Sequence, residues 1–333
     1  QFMWTPGAYD PNIKWETTTT YNVGIDFGFL KDRITGNVDL YLRNTDDLLN
    51  EVMTPMGSNF GNKVLTNVGS MQNKGVEFAL NFIPVQTNDW HLSIGVNGTV
   101  SDTKITKLNA TDIEGYYINT SGISHGTGSY IGRHQVGYAP YSYWVFQQLY
   151  DENGMPIQNA FVDRNEDGTI NNDDKYCAGD ANPDFFYGLN LKLSYKNWDF
   201  GFNGHGSLGY KVFNDFASNN STAYFDVNAG NLPNFATAVK RTGFTQISGD
   251  YQFYSDFYLE DASFFRLDDI NLGYTFKDLG NWGGNIRVAA ACQNVFVLSK
   301  YSGIDPEINS TDGVDRTFWP RPRTYSLRLN INF

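Results

Sequence analysis

The 333 residues carry 24 Lys and Arg against 36 Asp and Glu, a net charge of −12, with no Lys/Arg-rich block; this excludes nucleic acid as a natural partner. Mean hydropathy is −0.42 and no apolar run is long enough for a membrane helix. Phe 25, Tyr 21, Trp 7 and Gly 33 suit many strands joined by turns, while Cys177 and Cys292 form neither a disulfide framework nor a metal pattern.

Residues 1–18 hold Pro, Gly, Asp and Asn and read as a loop. Tyr21, Val23, Ile25, Phe27 and Phe29 then alternate with Asn22, Gly24, Asp26 and Gly28, which gives a strand one apolar and one polar face. A tight Lys31-Asp32 turn leads to an answering strand, where Ile34, Val38, Leu40 and Leu42 oppose Asn37, Asp39 and Arg43. Residues 46–73, with Pro55, Gly57, Gly61 and Gly69, predict a long connection. The next hairpin sets Val76, Phe78, Leu80 and Phe82 beside Trp90, Leu92, Ile94 and Val96, joined by a turn at 84–89. The stretch 102–185 is Gly/Asn/Asp-rich and irregular. Tyr141–Tyr150 within it alternates poorly and is assigned to the loop.

A third hairpin pairs Tyr187, Leu189, Leu191, Leu193 and Tyr195 with Trp198, Phe200 and Phe202 across Lys196-Asn197. A second long loop covers 210–259. Ile270, Leu272, Tyr274 and Phe276, a turn at 277–284, and Ile286, Val288, Ala290 and Cys292 make the next pair. Residues 298–322 loop back to a last strand, where Tyr325, Leu327, Leu329, Ile331 and Phe333 alternate with Thr324, Ser326, Arg328, Asn330 and Asn332.

These are nine spans of about 9–11 residues, the length a tilted membrane strand needs. Short and long connections alternate, as in outer-membrane barrels, where turns are short on the periplasmic side and loops long on the outer side. Aromatics gather beside the short turns: Phe27, Phe29, Phe82, Trp90, Tyr195, Trp198, Tyr274, Phe276 and Trp282 form one interfacial girdle. The expected fold is all-β, a transmembrane antiparallel β-barrel in the cell outer membrane, contacting lipid outside and a polar lumen inside. Any one strand also fits a soluble sheet; the set fits a barrel. Nine strands leave two bare edges, so further strands are expected upstream of Gln1.

Further stretches carry a family resemblance: Trp15-Glu16, Arg43 through Asp47-Leu48-Leu49, Asn73-Lys74-Gly75-Val76-Glu77, Asp163–Asp174 with Gly179 and Pro183, Asn294-Val295-Phe296, Tyr301-Ser302-Gly303, Asp305-Pro306-Glu307, Pro320-Arg321 and Asn330-Ile331-Asn332-Phe333. In these the chain resembles the C-terminal part of the barrel of SusC/RagA-type TonB-dependent outer-membrane transporters, along its whole length. The resemblance implies a 22-stranded barrel, a plug domain and TonB box outside residues 1–333, a SusD-like surface lipoprotein as lid, and energy delivered through TonB.

The sharpest local motif is Asp163–Asp174. Asp163, Asn165, Asp167 and Asn171 fall at loop positions one, three, five and nine, Gly168 sits at the sharp turn, and Thr169 offers a carbonyl. Hard oxygens at this spacing suit Ca²⁺. The twelfth position is Asp174, where an EF-hand has Glu, and flanking helices are not apparent. A loop held by its own Asx turns is the other reading.

Substrate contact is expected in the outer loops, at Tyr141, Tyr143 and Trp144, at Tyr224 and Phe225, and at Phe318-Trp319. Flat aromatic faces beside Asn and Asp stack on sugar rings, or equally pack loops and dock a lid. The inward polar residues, Asp199, Asn203, Arg287 and Arg328 among them, are expected to meet a plug and water. No nucleophile-elbow, zincin or phosphate-loop motif surrounds His91, His125, His134 or His205, so no enzyme is predicted. The expected function is active import of an oligomeric nutrient, oligosaccharide rather than peptide. A secreted or surface-anchored calcium-dependent carbohydrate-binding β-protein and a passive porin are the alternatives.

Overall fold

The computed structural model describes residues 7–53, 57, 60–108, 115–223, 234–245, 250–279, 284–308, 310–316 and 319–332. Its main feature is one nine-stranded antiparallel sheet in meander order. The spans are Thr17–Phe29, Ile34–Met53, Lys63–Gln86, Trp90–Lys107, Phe185–Tyr195, Trp198–Leu208, Phe264–Leu279, Gly284–Ser299 and Thr324–Asn332, first to ninth. Short connections at 30–33, 87–89, 196–197 and 280–283 share one end of the sheet; the longer ones share the other.

Periodicity explains the faces. Val23 is 69% exposed, Leu40 55%, Leu327 78% and Leu329 63%, all on the outward side. Among the described residues no second layer covers them. Such a face is unstable in water and is what hydrocarbon requires. Among the described residues no helix is long and apolar enough to cross a membrane.

Two aromatic belts bound this face. Near the short turns Trp90 packs on Tyr195 with ring centroids 4.1 Å apart, and Trp198 on Tyr274 at 4.8 Å. Trp282, assigned to the same girdle, lies outside the described residues, as does Phe333. A second belt, which the sequence reading missed, runs through Phe78, Phe185, Tyr187, Phe265 and Phe296, with successive centroids 5.6–6.4 Å apart. Tyr187 and Tyr195 sit eight residues apart on the fifth span, about 27 Å along the strand. A tilt of about 40° reduces that to roughly 20 Å of height, close to the apolar band of a membrane barrel. Glycines make the outer belt possible: a Cβ on Gly98 would lie 2.8 Å from the Phe78 ring, and one on Gly206 2.4 Å from that of Tyr187.

One expectation fails. Residues 46–73 are not a long connection. The second and third spans stay paired to Met53 and from Lys63, so the link is only 54–62. The alternation breaks there because the ladder slips between Thr45 and Leu49, with Asp47 at φ 59°. Such irregularities move later side chains to the other face, which hides the strand from a period-two reading. The third span has 24 residues, about 80 Å, and therefore projects well beyond the bilayer.

The cores lie in the outer loops. The described residues of the connections after the fourth, sixth and eighth spans fold together as a cap. A four-stranded sheet orders Tyr176–Asp180, Ser142–Val145, Tyr130–Gln135 and Tyr117–Gly122, and a smaller one joins Leu259–Asp261, Lys211–Asn214 and Val314–Asp315. Ile131, Tyr143, Val145, Phe213, Tyr258 and Val314 close the larger core. Tyr141–Tyr150 is thus a cap segment and not a span, as expected.

Candidate functional site

The lumenal wall is polar and internally paired. Asn37 donates to Asp39 at 2.7 Å, Ser93 to Asn81 at 3.0 Å and Asn203 to Asp269 at 2.7 Å. Arg287 Nε donates to Asp199 Oδ2 at 2.9 Å. That pair crosses Gly273, where a Cβ would lie 2.5 Å from both Arg287 Nη2 and Asp199 Oδ2. Higher up, Arg266 is 3% exposed and bonds Asp305, with Nε 3.1 Å from Glu307 and Nη1 2.8 Å from Asn294. Glu307 also accepts from Arg321 at 2.7 Å and lies 3.4 Å from His205 Nε2. This joint fixes the third outer loop to the top of the wall.

The aromatic candidates divide. Tyr143 is wholly buried, and its hydroxyl donates to the carbonyls of Lys211 at 3.0 Å and Gly313 at 2.9 Å. It is a core residue, which corrects its assignment as a ligand contact: the same bulk that suits a sugar face suits a loop core. Tyr141 is half-buried with φ 58°, its ring edge-on to His134 at 4.7 Å. Trp144 is half-buried beside Arg133 and Tyr138. Trp319 is 92% exposed. Tyr224, Phe225 and Phe318 lie outside the described residues. Ser124 and His125 form no catalytic pair: Ser124 bonds Asp215 and His125 stacks on Phe253 at 3.3 Å.

The Asp163–Asp174 loop is ordered by its own acceptors. Asp163 Oδ2 accepts from Gly168 N at 2.7 Å, Asn165 Oδ1 from Asp167 N at 3.1 Å, Asp167 Oδ1 from Thr169 N at 2.8 Å, and Asn171 Oδ1 from Asp173 N at 2.8 Å. Asp174 is wholly buried and takes the amides of Asn171 and Arg164, each at 2.8 Å. The Asn171 amide is the main cause holding its carboxyl below the usual range. Asp163 Oδ1 is buried with no hydrogen-bond partner. Among the described residues no three His, Cys, Asp or Glu side chains gather as a metal site. A cation here would therefore depend on the amide and carbonyl oxygens of Asn165, Asn171 and Thr169 beside Asp163 and Asp167.

Two cavities were not foreseen. One of about 270 Å³ is lined by Asn214, Phe216, Thr237, Arg241, Ser302, Ile304 and Asp315 among others, with Phe216 48% and Ile304 53% exposed. Another of about 260 Å³ opens at the wall, with Phe186, His205, Ser207, Tyr210 and Glu307 among its lining residues. Their residues come from separate loops and, for the second, from several wall spans, with no local spacing, so only tertiary contact reveals them.

The described geometry agrees with known proteins. The family described as "TonB dependent receptor-like, beta-barrel" matches residues 2–295. The TonB-dependent receptor SusC of Bacteroides thetaiotaomicron is 44% identical over 98% of this chain and 33% of its own length. The TonB-dependent receptor P26 of Formosa agariphila is 29% identical over 97% and 35%. The solved RagAB peptide transporter shares the fold, with TM-score 0.76 at 23% identity over 97% of this chain and 36% of that one. The chain spans about a third of the length of the curated relatives it matches. An outward apolar face, two belts and this family match agree: the chain belongs to the TonB-dependent receptor β-barrel family, and its nine-stranded sheet is a wall of an outer-membrane barrel.

Proposed function

We propose that this wall and cap belong to an active importer of an oligomeric nutrient, glycan rather than peptide. A plug and TonB box, not contributed by these residues, would transmit energy through TonB, and a SusD-like lipoprotein would close the mouth. The likeness to SusC at 44% identity supports the importer reading. The observation that carries the glycan reading is the 270 Å³ cavity, where Phe216 and Ile304 stand beside the polar groups of Arg241, Asn214, Thr237 and Ser302. An apolar platform ringed by hydrogen-bonding groups is the chemistry a sugar ring uses. Uptake by whole cells tests it: a protonophore should abolish accumulation of a labelled oligosaccharide, whereas a passive porin would be indifferent. Binding to the purified complex before and after Trp144→Ala, Trp319→Ala and Phe216→Ala tests the contacts; unchanged binding in all three removes them.

Calcium is the cofactor we propose for the 163–174 loop, held by Asp163, Asn165, Asp167, Thr169 and Asn171, with Asp174 ordering the backbone. Metal analysis of chelator-free protein should find it, and Asp163→Ala with Asp167→Ala should loosen the loop.

A further inference from the structure

Among the described residues, five buried side-chain polar atoms have no hydrogen-bond partner. Four of them, on Thr120, His134, Gln135 and Trp144, lie in the four-stranded cap sheet. A polar atom withdrawn from water without a partner is costly, and several in one small sheet call for an explanation. Two of them share a face with two cations. Arg133 pairs with Ser142, two residues from Trp144, and Trp144 pairs with Cys177, two residues from Lys175. Alternation therefore sets Arg133, Gln135, Trp144 and Lys175 on one side.

Among the described residues neither cation has a carboxylate within ion-pair distance, and the acidic charge that Arg133 feels is that of Asp173. The Arg133 guanidinium lies 3.9 Å from the Tyr117 ring centroid and 4.8 Å from that of Trp144. The Lys175 ammonium lies 4.3 Å from the Tyr254 ring centroid and 5.2 Å from that of Phe146. The charge that Lys175 chiefly feels is that of Arg133, of the same sign. Ring faces offset a half-buried cation only in part. In a chain with 36 acidic residues to 24 basic ones, two cations on one face without an ion pair among the described residues are not the default arrangement.

We propose that this face is a subsite for an acidic sugar unit of the transported glycan, its carboxylate or sulfate held between Arg133 and Lys175. This rests on the importer reading above. The indole Nε1–H of Trp144 donates to the anion, and a neighbouring sugar hydroxyl donates to Gln135 Oε1. Tyr117 and Tyr138, 41% and 37% exposed, flank the ring. Trp144 thus acts through its N–H, while its ring face already belongs to Arg133. Three donor groups beside one acceptor, between flat rings, match a sugar ring bearing both an anion and hydroxyls.

The test is calorimetric binding to the whole detergent-solubilised transporter with its lid, at low salt. The probes are trigalacturonate, a sulfated galactan trisaccharide and a neutral galactan trisaccharide. The expected result is that one or both acidic probes bind at least about ten-fold tighter than the neutral one, and which of them does names the anion. Trp144→Phe, which keeps the packing, and Lys175→Gln should each weaken acidic binding about ten- to hundred-fold, the size of one charge-assisted hydrogen bond, and Lys175→Gln should leave neutral binding and the melting temperature unchanged. Equal binding of all three probes overturns the proposal. So does loss of the lid from the purified complex in these variants with acidic binding intact, which would make a protein carboxylate the occupant. Binding is read without a proton gradient, so failure of energised uptake would overturn the importer reading and leave this result standing.

Discussion

Leu327→Arg separates hydrocarbon from water as the surroundings of the outward face. Leu327 is 78% exposed on the ninth span and pairs with Ala290. Along the neighbouring span, Ala290 lies between Phe296 of the outer belt and Val288, which faces Tyr274 of the inner belt. An arginine in the apolar band of a barrel costs about 2–4 kcal/mol at the midplane, roughly a 30- to 700-fold shift in the folding equilibrium at about 1.4 kcal/mol per decade. The same change on a sheet face bathed in water costs within about 0.5 kcal/mol. Ser326→Arg is the internal control, since Ser326 points to the lumen one residue away, where a charge is tolerated. Urea unfolding of the full-length protein from lipid vesicles, followed by tryptophan fluorescence, reads both. A large loss for Leu327→Arg with little for Ser326→Arg is expected. Equal effects would refute the assignment of faces and the membrane reading with it.

Arg266→Met leaves Asp305 without its main cation; truncating a buried ion pair costs about 3–5 kcal/mol, and hydrogen exchange at 300–308 should rise while the wall stays protected. Tyr143→Phe removes the donor to two carbonyls and should cost about 1–3 kcal/mol of cap stability, read as faster proteolysis of the cap without change in the barrel. Burial lowers the pKa of His134 below its usual 6.5, so the unfolded state binds the proton more readily; its contribution, complete above 6.5, falls away as pH drops from there through the folded value. Protection of amides 117–145 relative to their intrinsic exchange rates should therefore fall on acidification, and His134→Gln should remove its share of that dependence.

The wall was legible because its physics is local. A strand between lipid and lumen must alternate, and each of the nine spans shows this in its own residues, as Leu189-Asn190-Leu191-Lys192-Leu193 does. The reading failed at 46–73, where Asp47 and two register slips break the period without ending the ladder. It also missed the outer belt, because Phe78, Phe185 and Phe265 become neighbours only through register. The cap was largely illegible. Tyr143 reads as a sugar platform in sequence and proves to be the centre of a core, since nothing local says that Lys211 and Gly313 will reach its hydroxyl. Phe216 and Arg241 carry no motif at all.

The joint at Arg266 shows how wall and cap are held as one unit. A buried ion pair contributes little net stability, because desolvation offsets most of the attraction. What the Arg266 cluster does supply is direction. The guanidinium has fixed bonding geometry and is held at Asn294 on the adjacent span, so Asp305 and Glu307 can sit in only one place relative to the wall. Glu307 in turn engages Arg321 and approaches His205 on the sixth span. The third loop therefore leaves the wall at a set angle and delivers Ser302 and Ile304 to the 270 Å³ cavity and Val314 to the cap core. A loop tethered only at its two strand ends would have its ordering entropy still to lose in any contact it made; one anchored by buried charge and threaded into a shared core is ordered already.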